Sequence, residues 1–389
     1  MANQLQTLVA EKKDMVETVM ELLEQGAEVV ASFAGDFFPF VSIAAPIVKL
    51  AFDNVESSEA KFMREQFQKV RDHLEVVSEE IQRINDEIKK SGVDTTYFPV
   101  EENITNQFRK YMEILNAKPK YREAKKKLFL DHFDKTGGEK NLETLYDAVT
   151  GKQMFGESVL EIILNCEEKS RRTMEDFCAR LKRLFCIGLI ALLGHAALKE
   201  YGEEEDLLKV WGEKMQDVQA KIHSVIEDCI VSFPTQAALD CQRLVRDQPH
   251  LTNQQLADAL LEKLKKKYDW VSWSVRVFKP FRVWFPGNKD PHCVTGKSRF
   301  QVPSSNKTLV WVSYSSSPEP VDKNHIQQLI QSQKKVTATS VAEFLFEKLP
   351  GNCVVHAIKS KDPACSSSFS DELHYWEVHN EFSVCVHSS

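Results

Sequence analysis

The sequence predicts an α+β protein: a long antiparallel helical bundle over residues 1–265, then a small α+β domain with a mostly antiparallel sheet over 266–389. Two periodicities carry that reading. Through most of the first two-thirds, apolar residues recur at alternating steps of three and four, the repeat of one helix face. From about Tyr268 the repeat drops to two, that of a strand. Composition agrees. With 42% hydrophobic and 28% charged residues the chain is an ordinary folded one, and only 14 Gly and 14 Pro in 389 residues argue against a loop-rich all-β protein.

The first helical stripe is Leu5, Leu8, Met15, Val19, Leu22 and Val29, with Lys12 and Gly26 off type. The second is Phe67, Val70, Leu74, Val77, Ile81, Ile84 and Ile88, read as one helix closed by Ser91-Gly92. Ile104, Phe108, Tyr111 and Leu115 form a shorter third. Trp211, Met215, Val218, Ile222, Val225 and Cys229 form the last, with Pro234 expected to end that helix and Pro249 to separate it from Leu251–Lys267. Pro119 and Gly137-Gly138 punctuate the middle. Helices of this length with short connections imply an antiparallel bundle whose core is these stripes.

Two segments are more apolar than such a bundle requires. Residues 27–52 read AEVVASFAGDFFPFVSIAAPIVKLAF, with twelve uncharged residues from Phe37 to Val48 and the aromatics Phe37, Phe38 and Phe40. Gly35, Pro39 and Pro46 predict a bent helix or helical hairpin there. Residues 184–198 read LFCIGLIALLGHAAL, including Phe185, Leu189, Leu192 and Leu193. Fifteen helical residues span roughly 22 Å, short of a hydrocarbon core of about 30 Å. A helix apolar all round belongs at the centre of a bundle. The sharper reading is a buried helix stored for membrane docking. Arg180, Lys182 and Arg183 just before the run suit anionic headgroups, and Gly188, Ala191 and Gly194 permit close helix approach.

In the last third, Val271, Trp273, Val275 and Val277 alternate with Ser272, Ser274 and Arg276. Phe281, Val283 and Phe285 resume the alternation beyond Pro280. Residues 308–314, 352–358, 373–378 and 381–386 read as further strands, the last two as a hairpin around Asn380; 322–333 and 340–349 read as amphipathic helices. Five of the six tryptophans lie here, including Trp273, Trp284, Trp311 and Trp376. Net charge shifts too, from −11 before residue 266 to +4 after it, summing to −7.

Catalytic grammar is missing. Gly296-Lys297-Ser298 resembles the tail of a phosphate loop, but Pro291 stands where its first glycine belongs. There is no GxGxxG, GxSxG or HExxH, and no cofactor or metal is expected. His379, Cys385 and His387 share a strand parity without zinc spacing and read as half-buried strand residues. Arg276, Lys279 and Arg282, interleaved with Trp273, Phe278 and Trp284, read as either an aromatic–basic binding face or the solvated side of a strand. The acidic balance excludes a nucleic-acid binder. The start, MANQLQTLVAEKKDM, lacks a signal-peptide pattern, so cytoplasmic synthesis is expected, with membrane association through the apolar segments.

The long helices, the GAEVVASFAGDFFPFVSIAAPIVKLAF and FCIGLIALLGHAAL runs and the tryptophan-bearing C-terminal part together resemble the rapunzel-like proteins of fish, a group similar to the cephalotoxin-like proteins. The resemblance covers most of the chain as an overall pattern. It implies a non-enzymatic protein with a helical bundle of the pore-forming-toxin type, and a link with skeletal and fin growth. It carries over no residue roles. Cephalotoxin-like proteins are secreted, and the absence of a signal pattern departs from that.

Two functions stay open on this reading. One is a non-catalytic protein whose bundle meets an anionic membrane surface. The other is a soluble scaffold that binds a protein partner through aromatic anchors such as Trp273 and Trp284.

Overall fold

In the computed structural model, residues 2–26, 29, 31–152, 157–200, 202–279, 291–304, 308–333, 337–349, 351–379 and 382–389 are described. The chain divides into two units, Met1–Val231 and Ser232–Ser389. The sequence places the division at 265/266; the last helical stretch instead belongs with the sheets.

The first unit is helical. Helices α1 (Ala2–Glu11) and α2 (Lys13–Glu24) precede a π-helical turn, Phe33–Phe37, which leads into α3 (Phe38–Val41) and α4 (Ala44–Phe52). The bend expected from Gly35, Pro39 and Pro46 is present. Pro39 sits in the first turn of α3, where its missing N–H is an orphan in any case. Then come α5 (Ser58–Glu75), α6 (Glu79–Ser91), α7 (Asp94–Leu115), α8 (Pro119–Lys135), α9 (Lys140–Thr150), α10 (Val159–Cys166), α11 (Arg171–Lys199) and α12 (Glu204–Asp247).

One expected helix is two. The stripe from Phe67 to Ile88 breaks at Val76, whose backbone turns extended, and Ser78 starts α6 by accepting the Ile81 N–H on its hydroxyl. Val77, counted in the stripe, lies in that break and is exposed, as is Val76. The opposite error occurs at Pro234, which does not end its helix: α12 runs on to Asp247. An interior proline removes one backbone bond and costs about 3 kcal/mol. The buried stripe of Phe233, Ala237, Cys241 and Val245 continues in phase beyond it and offsets that loss.

Helix α11 is the axis of this unit. It packs against every helix from α3 to α10. Because it is apolar on all sides, no face can be left to solvent, and Leu184 to Leu193 are buried without a gap. Close approach is literal at Gly194, where a Cβ would stand 2.2 Å from Tyr111 Cε2. That spacing lets the Tyr111 hydroxyl donate to the Ala44 carbonyl at 2.7 Å. Trp211, Met215, Val218, Ile222, Val225 and Cys229 of α12 join the same core.

The second unit is layered. Helix α13 (Asn253–Lys267) and the end of α12 cover one sheet, ordered β3 (Arg299–Val302), β4 (Leu309–Ser315), β1 (Ser272–Phe278), β6 (Ala364–Ser367). Helices α14 (Lys323–Gln331) and α15 (Ala338–Lys348) cover the other, ordered β2 (His292–Thr295), β5 (Cys353–Ile358), β8 (Phe382–Ser388), β7 (His374–His379). All pairings are antiparallel. Two four-stranded sheets thus stand where one was expected. Strands β2, β3 and β6 have only four residues each, too short for a periodic signal. The strand text at 281–285 lies outside the described residues.

Residue parity assigns each sheet two buried faces. Trp273, Val275 and Val277 pair with Tyr314, Val312 and Val310 and pack on the helices. Ser274 and Arg276 pair with Ser313 and Trp311 and turn to the other sheet, where His356 accepts a hydrogen bond from Arg276 on a ring nitrogen and Ser313 meets His387. The polar side of β1 is therefore not solvated, contrary to the sequence reading. It lines an inter-sheet layer.

A Gly194→Ala change is expected to destabilise the helical unit by roughly 1–3 kcal/mol, because the Tyr111 ring must move. Gly212→Ala, whose added carbon would meet Phe38 at an ordinary 3.7 Å, is expected to be neutral or stabilising. Urea denaturation of the two variants checks the contrast.

Candidate functional site

Two regions hold the residues singled out by sequence: the apolar pair in the helical unit and the polar layer in the sheet unit. In the first, the two apolar segments meet. Helices α3 and α4 pack directly on α11. Phe37, Phe40, Phe185 and Leu189 have essentially no exposed surface, Leu192 and Leu193 hardly more, and Phe38 is half-buried against the same core. Gly35–Phe52 and α11 are long and apolar enough to cross a membrane by length and composition alone, although 89% of the most apolar stretch of α11 is buried inside the unit. The sequence measured only the fifteen-residue run; in the fold it continues N-terminally as one helix of 29 residues, which spans roughly 44 Å.

The basic residues before that run do not form a surface patch in this state, which corrects the headgroup reading. Lys182 has no exposed surface; its ammonium donates to the Val29 carbonyl at 2.9 Å and to the Ala31 carbonyl. Arg180 donates to the Leu74 carbonyl at 2.7 Å and pairs with Glu101, both side chains largely covered. Arg183 is half-buried and reaches the His73 carbonyl at 3.5 Å. These cations tie α11 to the segment before Phe33, to the end of α5 and to α7. A periodic pattern cannot show this, because the partners of Lys182 are backbone carbonyls.

At its other end α11 carries His195, stacked on Phe133 at 4.2 Å and 3.2 Å from Asp134, which Lys199 also binds at 3.0 Å. Burial pushes the imidazole below its ordinary value, the Asp134 carboxylate opposes that, and Lys199 adds to it. This ring is consequently neutral at physiological pH. Helix α8 closes the far end of α4: Arg122, itself buried, donates to the Ala51 carbonyl and to Asn54 Oδ1 at 3.0 Å.

In the sheet unit, Trp273 is fully buried against α12 and α13, and Trp311 is 9% exposed. The aromatic-anchor argument for a protein-binding face loses these two, and Trp284 lies outside the described residues. Between the sheets, Arg276 is fully buried. Its Nε donates to His356 Nδ1 at 2.9 Å, and Nη1 reaches Ser274 Oγ at 2.9 Å, Ser313 Oγ at 2.8 Å and Cys385 Sγ at 3.5 Å. His356 and His387 are held neutral. Desolvation pushes both down, helped by Arg276, His387 to about 3. His379 meets Tyr375 and Glu377, while Cys385 and His387, read from sequence as half-buried, are fully buried. Among the described residues no group of three or more His, Cys, Asp or Glu side chains is placed to hold a metal ion.

Comparison with known proteins places the helical region. Residues 54–250 match the cephalotoxin-like middle helical domain. The chain is 34% identical over 202 residues to the protein rapunzel of zebrafish, Danio rerio, an alignment covering 51% of this chain and 88% of rapunzel. The chain belongs to the rapunzel-like, cephalotoxin-like family. No solved structure matches it. The family match begins after α4, takes in α5 to α12 entire, and so includes the buried helix with its Arg180 and Lys182 ties.

In this rapunzel-like chain Arg180→Ala is expected to lower stability by about 2–3 kcal/mol, because it strands the covered Glu101 carboxylate. Adding Glu101→Gln is expected to restore part of that loss. A double-mutant cycle by urea denaturation reads it, and simple additivity would refute the coupling.

Proposed function

We propose that this chain is a non-enzymatic, cytoplasmic rapunzel-like protein whose toxin-type helical unit engages anionic membrane surfaces. A role in skeletal and fin growth comes to it from the family resemblance alone. The observation that carries the membrane reading is the direct packing of the two apolar segments, α3–α4 on α11, inside a sheath of amphipathic helices. A water-soluble bundle of this size can be built from amphipathic stripes. This one encloses a helix that needs covering on every side, in a family named for a toxin.

The reading makes a specific demand. With Lys182 and Arg180 engaged inside, the folded surface offers few of the cations first assigned to headgroups. Membrane engagement then begins by loosening the sheath, which frees Arg180, Lys182 and Arg183 together with the apolar faces they flank. Protein interior and hydrocarbon are nearly equivalent environments for Leu and Phe side chains, so α11 would exchange one for the other at little apolar cost.

Co-sedimentation tests it. At low salt the full chain is expected to pellet with phosphatidylserine-containing vesicles and to stay in solution with pure phosphatidylcholine. Amides of 171–199 should exchange hydrogen faster on the anionic vesicles than in free protein. A chain that stays in the supernatant with anionic vesicles at low salt overturns the proposal.

A further inference from the structure

Arg276 presents a charge-balance problem that the inter-sheet layer must solve. A guanidinium cannot shed its proton in a protein. This one has no exposed surface, and every acceptor it meets is a hydroxyl, a backbone carbonyl, the neutral His356 ring or the sulfur of Cys385; its Nη2 is left without a partner. No carboxylate touches it among the described residues. An unpaired buried charge is strongly unfavourable. Cys385 is the one contacting group able to become an anion.

Geometry around that sulfur fits an anion. Three polar groups from two strands of different sheets converge on Cys385 Sγ: Arg276 Nη1 at 3.5 Å, Ser274 Oγ at 3.6 Å and His374 Nε2 at 3.4 Å. Strand β5 sets His356 directly across from Cys385, and β8 itself contributes His387 on the same face. Burial alone would raise the thiol, but Arg276 first and then His374 outweigh it and bring it down to about 6. Six other cysteines are pushed the opposite way, Cys166, Cys178, Cys186, Cys241, Cys353 and Cys365.

A second sulfur stands beside it. Cys365 on β6, of the opposite sheet, lies 3.9 Å from the same Ser274 hydroxyl. The residue is half-buried, and burial pushes its thiol up. We propose that Cys385 and Cys365 form an oxidant-responsive dithiol site between the sheets, with Arg276 holding Cys385 as the attacking thiolate and Cys365 as the resolving thiol. The co-reactant is a small peroxide. The Cys385 sulfur attacks one peroxide oxygen, the O–O bond breaks, and hydroxide leaves with a sulfenic acid formed. Cys365 sulfur then attacks the sulfenic sulfur; an S–S bond forms, the S–O bond breaks, and the Cys365 proton leaves with that oxygen as water. The product staples one sheet to the other.

The test uses the full folded chain. Hydrogen peroxide at neutral pH is expected to yield a Cys365–Cys385 linked peptide ahead of any product at the exposed Cys166, reversed by dithiothreitol. A bulky maleimide should leave Cys385 untouched in the native state. Cys365→Ser should stop the reaction at a sulfenic acid on Cys385, detectable with dimedone after unfolding. Arg276→Gln should slow oxidation at pH 7 by about 30-fold, the change in thiolate fraction when a thiol returns from near 6 to its ordinary value of about 8.5. Should that variant not fold, the native protein's own pH profile decides: the rate must fall as pH drops through about 6. The proposal is overturned if Cys385 resists peroxide, if Cys166 reacts first, or if the rate stays flat between pH 8 and 5.

Discussion

A helix with no polar side must be enclosed, and that constraint organises the first unit. The run from Leu184 to Leu193 has no face fit for water, and burying each large aliphatic side chain there contributes roughly 1.5–3 kcal/mol. The eight helices from α3 to α10 are the enclosure. Small residues set how tightly it closes. Gly194 lets Tyr111 lie against α11 and bond Ala44, which fixes α7, α4 and α11 in one contact. The stripes on α5, α6, α7 and α12 then follow as the inner faces of the sheath.

The second unit meets the converse problem. Its strands carry apolar residues on the faces that meet helices and polar ones on the faces that meet each other. A polar layer without water must close its own hydrogen bonds. Arg276 donates to Ser313, whose hydroxyl reaches His387 Nε2 at 2.6 Å, and His387 Nδ1 donates to the Ser388 carbonyl, also at 2.6 Å. This chain of donors fixes the tautomer of His387, as the Arg276 Nε donation to Nδ1 fixes that of His356, and gives the layer a defined register. One end of the layer is apolar, where Phe278, Trp311 and Ile358 cluster.

Sequence pattern exposed the stripes, the bend near Pro39 and the long strands because each rests on local periodicity. It failed where the deciding partner is remote. Alternation along Ser272–Phe278 looks the same whether its polar face meets water or a second polar sheet, so Arg276 read as solvated. Val77 kept the phase of its stripe while the backbone turned at Val76. Pro234 looked like a terminator because the burial that carries α12 past it lies in another part of the chain. Lys182 read as a surface cation, since nothing in its neighbourhood names the carbonyls of Val29 and Ala31. The cysteine pair was equally hidden: Cys365 and Cys385 are twenty residues apart on different sheets, and only the fold brings both to Ser274.

What holds α11 in place is then a separate matter from what makes it apolar. A protein interior and a lipid interior offer a leucine almost the same environment, so apolar burial discriminates weakly between them. Discrimination falls to the polar ties: Arg180 with Glu101, Lys182 with two carbonyls, Tyr111 with Ala44, His195 with Asp134. Each is worth more in a dry interior than in water and leaves an uncompensated group if broken there. Arg180 and Lys182 precede the apolar run, and His195 lies toward its C-terminal end. The helix is thus retained by a few charged and hydrogen-bonded fastenings around an otherwise indifferent oily rod, and any partner that draws it out must supply substitutes for those fastenings before it supplies anything for the leucines.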